Sequence, residues 1–196
     1  MSHSSQRRRF LAGCGYLTAG AACGLLAPRW LRTVTADERP ASTGAEERLR
    51  TLRLKLPPVT KPKATLVPAV RAGDILYVSG HGPGSVDGKP VLGKLGKDLT
   101  VKQGRAAARQ VGLVILGVVR AELGSLDKVV RLVKTLGMVN CTPDFKEQPQ
   151  VINGFSDLMV EVFGAKAGKG ARSAVGMAAL PGGIPVEVEA IFQVRG

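Results

Sequence analysis

The stretch that most restricts the fold is the last, Ala171 to Val194, which reads A-R-S-A-V-G-M-A-A-L-P-G-G-I-P-V-E-V-E-A-I-F-Q-V. Two apolar runs of strand length flank Leu180-Pro181-Gly182-Gly183-Ile184-Pro185, where proline and glycine break any regular element. The second run opens with strict alternation. Val186, Val188 and Ala190 fall on one face of a strand, and Glu187, Glu189 and Ile191 on the other. A carboxylate pair two residues apart, with Arg172 at the head of the preceding strand, is a candidate anion-binding arrangement.

The rest of the chain supplies partners for these strands. Thr65 to Val70 and Ile75 to Ser79 are β-rich runs joined by Arg71-Ala72-Gly73-Asp74, whose Gly-Asp suits a hairpin turn. Gly82 to Gly96 reads as a loop with a short strand near Val91. Thr100-Val101-Lys102-Gln103 is a capping box. Behind it Ala107, Val111, Val114, Ile115, Val118 and Val119 recur at helical spacing, and Gly124 ends the run. Lys128 to Val139 alternates with a period near two, placing Val130, Leu132, Lys134, Leu136 and Met138 together, opposite Val129, Arg131, Val133 and Thr135. Both faces carry apolar residues, so both are expected to be covered, one by helices and one by another subunit. A second helix runs from about Glu147 to Phe163, with its stripe at Val151, Ile152, Phe155, Leu158, Met159 and Val162. Gly164 to Gly170 reads as a flexible basic loop. The order β-β-α-β-α-β-β predicts an α+β sandwich with two helices on one face of a mostly antiparallel sheet.

Ahead of this domain, assigned to residues 59–196, lie two other segments. Residues 1–36 combine Arg7-Arg8-Arg9 with an uncharged Gly/Ala-rich stretch from Phe10 to Ala27, the pattern of an export signal of twin-arginine type. The implied location is periplasmic or otherwise extracytoplasmic, with mitochondrial targeting and an uncleaved membrane anchor as alternatives. Residues 37–58 mix charges with Pro, Gly, Ser and Thr and read as a linker, with a short helix over Ala45 to Leu54.

Charge and cysteine counts exclude several classes. The net charge of +13 invites a nucleic-acid reading, but residues 1–55 carry ten Lys/Arg against four Asp/Glu and residues 56–196 eighteen against eleven. The excess is spread along the chain, and aromatics for base stacking are only 4%, so a solvated basic surface is the better reading. Cys141 alone lies in the domain, which rules out a disulfide framework there. Two histidines, His3 and His81, and no C-x-x-C give no basis for a metal site. No G-x-S-x-G elbow supports a serine hydrolase.

R-S-x-V from Arg172, then L-P at Leu180, then V-E-V-E-A-I from Val186 resemble the C-terminal signature of the Rid/YjgF family of enamine/imine deaminases. Ala69 to Pro83 resembles the first hairpin of that family, which ends in S-G, and Val151-Ile152-Asn153-Gly154-Phe155 sits where its second helix carries an Asn. The resemblance implies a chorismate-mutase-like fold and a homotrimer with ligand sites between subunits. It implies hydrolysis of small imines or enamines derived from amino acids to 2-oxo acids and ammonia, without a cofactor because an imine is already electrophilic.

By the same resemblance Arg172 binds the substrate carboxylate, which suits its planar fork of donors. Glu189 positions the attacking water, Asn153 offers an amide, and Ser79, Gly80 and His81 border the ligand. The structural alternatives are an Arg172 paired with Glu189, an exposed strand glutamate, and a Gly80 present for its turn alone. Three positions depart from the family pattern. Leu66 stands where a Tyr is usual, Ala174 where Cys is common, and His81 where many members have Gln. Those departures keep open a non-catalytic trimer that binds a small carboxylate, and behind it an RNA-cleaving protein.

Overall fold

The computed structural model describes residues 44–59, 65–86 and 89–196, so the export signal read over residues 1–36 lies outside them. Among the described residues no helix is long and apolar enough to cross a membrane. The elements are α1 (Ala45–Thr51), β1 (Ala69–Ala72), β2 (Ile75–His81), β3 (Ser85–Val86), β4 (Lys89–Pro90), α2 (Val101–Leu123), β5 (Val129–Asn140), α3 (Gln148–Gly168), β6 (Ala171–Met177) and β7 (Val186–Val194). Five strands form one sheet in the order β1-β2-β7-β5-β6, antiparallel except for the β5–β6 pair, and β3 and β4 form a separate hairpin. This is the α+β arrangement expected from the sequence. The short strand anticipated near Val91 is instead the β3–β4 hairpin, which ends just before it.

Parallel pairing of β5 with β6 needs a crossover, and α3 supplies it. It lies beside α2 on the face of the sheet formed by Leu76, Val78, Val188, Ala190 and Phe192. Thr100 accepts from the Gln103 backbone while the Gln103 side chain accepts from the Thr100 backbone, so the capping box starts α2 as its sequence specifies. The whole predicted stripe of α3, Val151 through Val162, is buried. The two helices approach closely at Gly154, where a Cβ would collide with the Arg105 carbonyl. Outside that contact Arg109 grips Glu161 with two hydrogen bonds of 3.0 and 2.7 Å, and Arg105 reaches Asp157.

Three sequence expectations are corrected. The segment read as a linker contributes to the core: α1 buries Ala45 and Leu49 in the main cluster, and Glu46 Oε1 accepts from the Leu126 amide at 2.9 Å. The basic loop expected from Gly164 is helical as far as Gly168, with one break at Gly164 (φ 79°, ψ 164°). On β5, Leu132 lies on the helix-covered face with Val129 and Thr135 rather than beside Val130 and Lys134. Register shifts between Val129 and Arg131 and between Leu132 and Lys134 cause this, since each extra residue inverts the alternation beyond it.

At the far end of the sheet Lys94 joins three segments. Its Nζ donates to Asn140 Oδ1 at 2.6 Å, to the Ala178 carbonyl at 2.7 Å and to the Cys141 carbonyl at 3.4 Å.

Candidate functional site

Strand register assigns each candidate to a face. β7 alternates as the sequence predicts, with Val186, Val188 and Ala190 buried under the helices. Glu189 pairs with Leu136 and Glu187 with Met138 on the opposite, outer face. Among the described residues no element covers that face, and Val70, Tyr77, Val130, Val133 and Val175 are exposed.

Glu189 lines an outer-face cleft of about 300 Å³ with Val70, Tyr77, Ser79, Lys134, Leu136 and Ile191. The register explains the grouping. Val70, Tyr77, Ile191 and Lys134 form one row across β1, β2, β7 and β5, and Glu189, Leu136 and Ser173 form the next. The Ser79 hydroxyl donates to the Val67 carbonyl at 2.7 Å, and Lys134 Nζ donates to Ser173 Oγ at 2.8 Å.

Ser79 and Gly80 occupy an irregular step in the β2–β7 ladder, between the Val78–Ala190 and His81–Val188 pairs. The Glu187 carboxylate lies against Gly80, in the space a Cβ there would take. Burial raises the Glu187 carboxyl above the ordinary carboxylate range, and the charge of Glu189 adds to the effect. Sequence reasoning gave Glu187 the lesser role, and nothing in strand alternation signals its contact with Gly80.

Arg172 stands elsewhere. It pairs with Thr135, which pairs with the buried Ala190, so its side chain leaves the sheet on the helix side. Its Nη1 donates to Asn153 Oδ1 at 2.8 Å and to Ser156 Oγ at 3.0 Å, beside a cleft of about 250 Å³ lined by Leu132, Thr135, Ser156, Val160 and Lys169. Arg172 and Asn153 therefore come together, as do Glu189 and Ser79, but the two groups lie on opposite faces. The Arg172–Glu189 pair weighed from the sequence does not form.

His81 joins neither group. It borders a small cavity of about 60 Å³ with Pro57, Pro68, Val114 and Val118, and its buried Nε2 has no hydrogen-bond partner among the described residues. Burial lowers its imidazole below the ordinary value, with the Pro68 backbone acting weakly the other way.

Two cleft residues escaped the sequence reading. Tyr77 brings a phenol to the Glu189 cleft, whereas Leu66, at the position where a Tyr was expected, is exposed and does not line it. Lys134 was assigned to the correct face, but its proximity to Glu189 depends on the β5–β7 register, which only the bulges fix.

The family described as "YjgF/chorismate_mutase-like, putative endoribonuclease" matches residues 46–183. Protein TCP17 of Trypanosoma cruzi is 44% identical over 155 residues, covering 79% of this chain and 97% of that protein. The crystal structure of Atu1372, a protein of unknown function from Agrobacterium tumefaciens, is 40% identical with a TM-score of 0.68, covering 76% of this chain and 91% of that one. A structure from Shewanella oneidensis MR-1, described as a putative endoribonuclease, is 28% identical with a TM-score of 0.72, covering 77% and 99%. With its order of elements, its Arg172 and Glu189 strands and these matches, the chain belongs to the YjgF/chorismate-mutase-like family.

Proposed function

We propose that the protein hydrolyses small imines derived from amino acids, in a homotrimer whose sites form between chains. The observation that carries this reading is the division of the site on one chain. Arg172 and Asn153 stand at the β6 edge of the sheet, while Glu189 and Ser79 open onto a face that no described element covers. A second copy laid against that face would both cover Val70, Tyr77 and Val133 and carry its β6 edge toward the first copy's cleft.

The chemistry follows from the side chains. The Arg172 guanidinium binds the substrate carboxylate through two parallel hydrogen bonds. Glu189 takes a proton from water as the water oxygen bonds to the imine carbon, and the imine nitrogen is protonated. Glu189 then carries the carbinolamine's hydroxyl proton to its nitrogen as the C=O bond forms and the C–N bond breaks, so imine plus water becomes a 2-oxo acid plus ammonia. Ser79 and Asn153 orient polar groups of the substrate.

Freshly generated 2-iminopropionate tests this reading. The wild type should release pyruvate, and Arg172→Ala and Glu189→Gln should each lose most of the activity. Mixing the two inactive variants and allowing subunits to exchange should restore roughly a quarter of wild-type activity, as random pairing across heterologous interfaces requires. No recovery would place the whole site in one chain. Carboxylate binding through Arg172 without any turnover would instead establish a binding protein.

A further inference from the structure

The Glu189 cleft holds a cation that the deaminase reading does not use. Lys134 lies one strand away from Glu189 and diagonal to it, a step of roughly 7–8 Å between backbones. The two do not form an ion pair, and no carboxylate among the described residues pairs with Lys134. Its ammonium has three donors, and it donates to the neutral Ser173 hydroxyl. Leu136, Ile191, Tyr77, Val70 and Ser79 line the cleft with it, and the one carboxylate there is Glu189, which the proposed reaction employs as its base.

A half-buried ammonium in a largely apolar cleft loses hydration, and a neutral hydroxyl does not replace it. An anion arriving there would gain more than at an exposed lysine. The cleft of about 300 Å³ is at the lower end of ligand pockets, which suits a small acid. In the proposed trimer the α-carboxylate of the substrate is already held by Arg172. The charge left for Lys134 must come from a second group on the same molecule.

We propose that the cleft selects imino acids bearing a second carboxylate, with a four- or five-carbon chain, and that Lys134 holds the distal carboxylate. This inference rests on the deaminase reading for its reaction, but not for its binding selectivity. Tyr77 and Ile191, in the same row as Lys134, flank the carbon chain between the two carboxylates. A substrate with an uncharged side chain leaves Lys134 unpaired in the cleft and binds more weakly.

The test compares 2-iminoglutarate with 2-iminopropionate, both generated in place by an amino-acid oxidase acting on the parent amino acids. The full chain should favour the diacid in kcat/KM by about tenfold to a hundredfold, the range for a hydrogen bond between charged groups. Lys134→Met should abolish that preference by raising KM for the diacid, with the monoacid nearly unaffected, and Lys134→Arg should retain most of it. Circular dichroism and the melting temperature of Lys134→Met check that the fold persists. An equal loss on both substrates would show that Lys134 serves only to balance Glu189 and would overturn the proposal, as would a wild type that prefers the monoacid. If neither imine is turned over, calorimetric titration with 2-oxoglutarate and pyruvate decides the matter. Tighter diacid binding that disappears in Lys134→Met upholds the selectivity while the deaminase reading falls, and equal binding overturns both.

Discussion

The carboxylate of Glu187 rests where Gly80 lacks a side chain, and that placement has a measurable pH signature. Its folded-state pKa lies above the unfolded value of about 4.3, so the folded protein holds the proton more tightly. Stability from this group is greatest in acid and falls as pH rises through the window between the two values. Glu187→Gln should therefore raise the melting temperature at pH 8, and the gain should shrink toward pH 4. His81 gives the opposite slope. Its folded-state pKa is depressed, so below the unfolded value of about 6.5 the unfolded chain takes up the proton first and stability declines. His81→Gln should flatten the melting-temperature profile between pH 7 and pH 5, whereas an unchanged slope would show that His81 does not set it.

Among the elements, the α2–α3 pair depends on the smallest side chain. Gly154→Ala would drive a methyl group into the Arg105 carbonyl, a backbone atom that cannot swing aside. The expected cost is about 3 kcal/mol, read as a lower urea midpoint with an unchanged m-value. The helices were legible because amphipathic spacing and caps are local: Thr100, Gly124 and the Val151–Val162 stripe all lie where the sequence puts them. β7 was legible for the same reason, with one face buried and the other carrying Glu187 and Glu189. On β5 the alternation misled, because a bulge leaves no mark in hydrophobicity yet inverts every residue beyond it. The site divided in the same way. Arg172, Asn153, Glu189 and Ser79 were each named as candidates from the sequence, but their separation onto two faces is a property of register. Tyr77 and Lys134 join the cleft through pairings between strands far apart in sequence, which no local pattern encodes.

At the scale of the molecule, the described residues cover one face of the sheet. Helices shield one face, and the other leaves Val70, Tyr77, Val130, Val133 and Val175 exposed. Sedimentation should find three copies of the 20.5 kDa chain in the particle. Val133→Asp should yield folded single chains that have lost activity, with far-UV circular dichroism unchanged. A single-chain particle for the wild type would remove the basis for sites shared between chains. The corner held by Lys94 has a consequence for chemical reactivity. A lysine-directed acylating reagent needs the nitrogen lone pair, yet this nitrogen is committed to three oxygens on Asn140, Cys141 and Ala178. Acylation of Lys94 must wait for those bonds to open, so its labelling rate, read by mass spectrometry against exposed lysines, measures how often that end of the sheet comes apart.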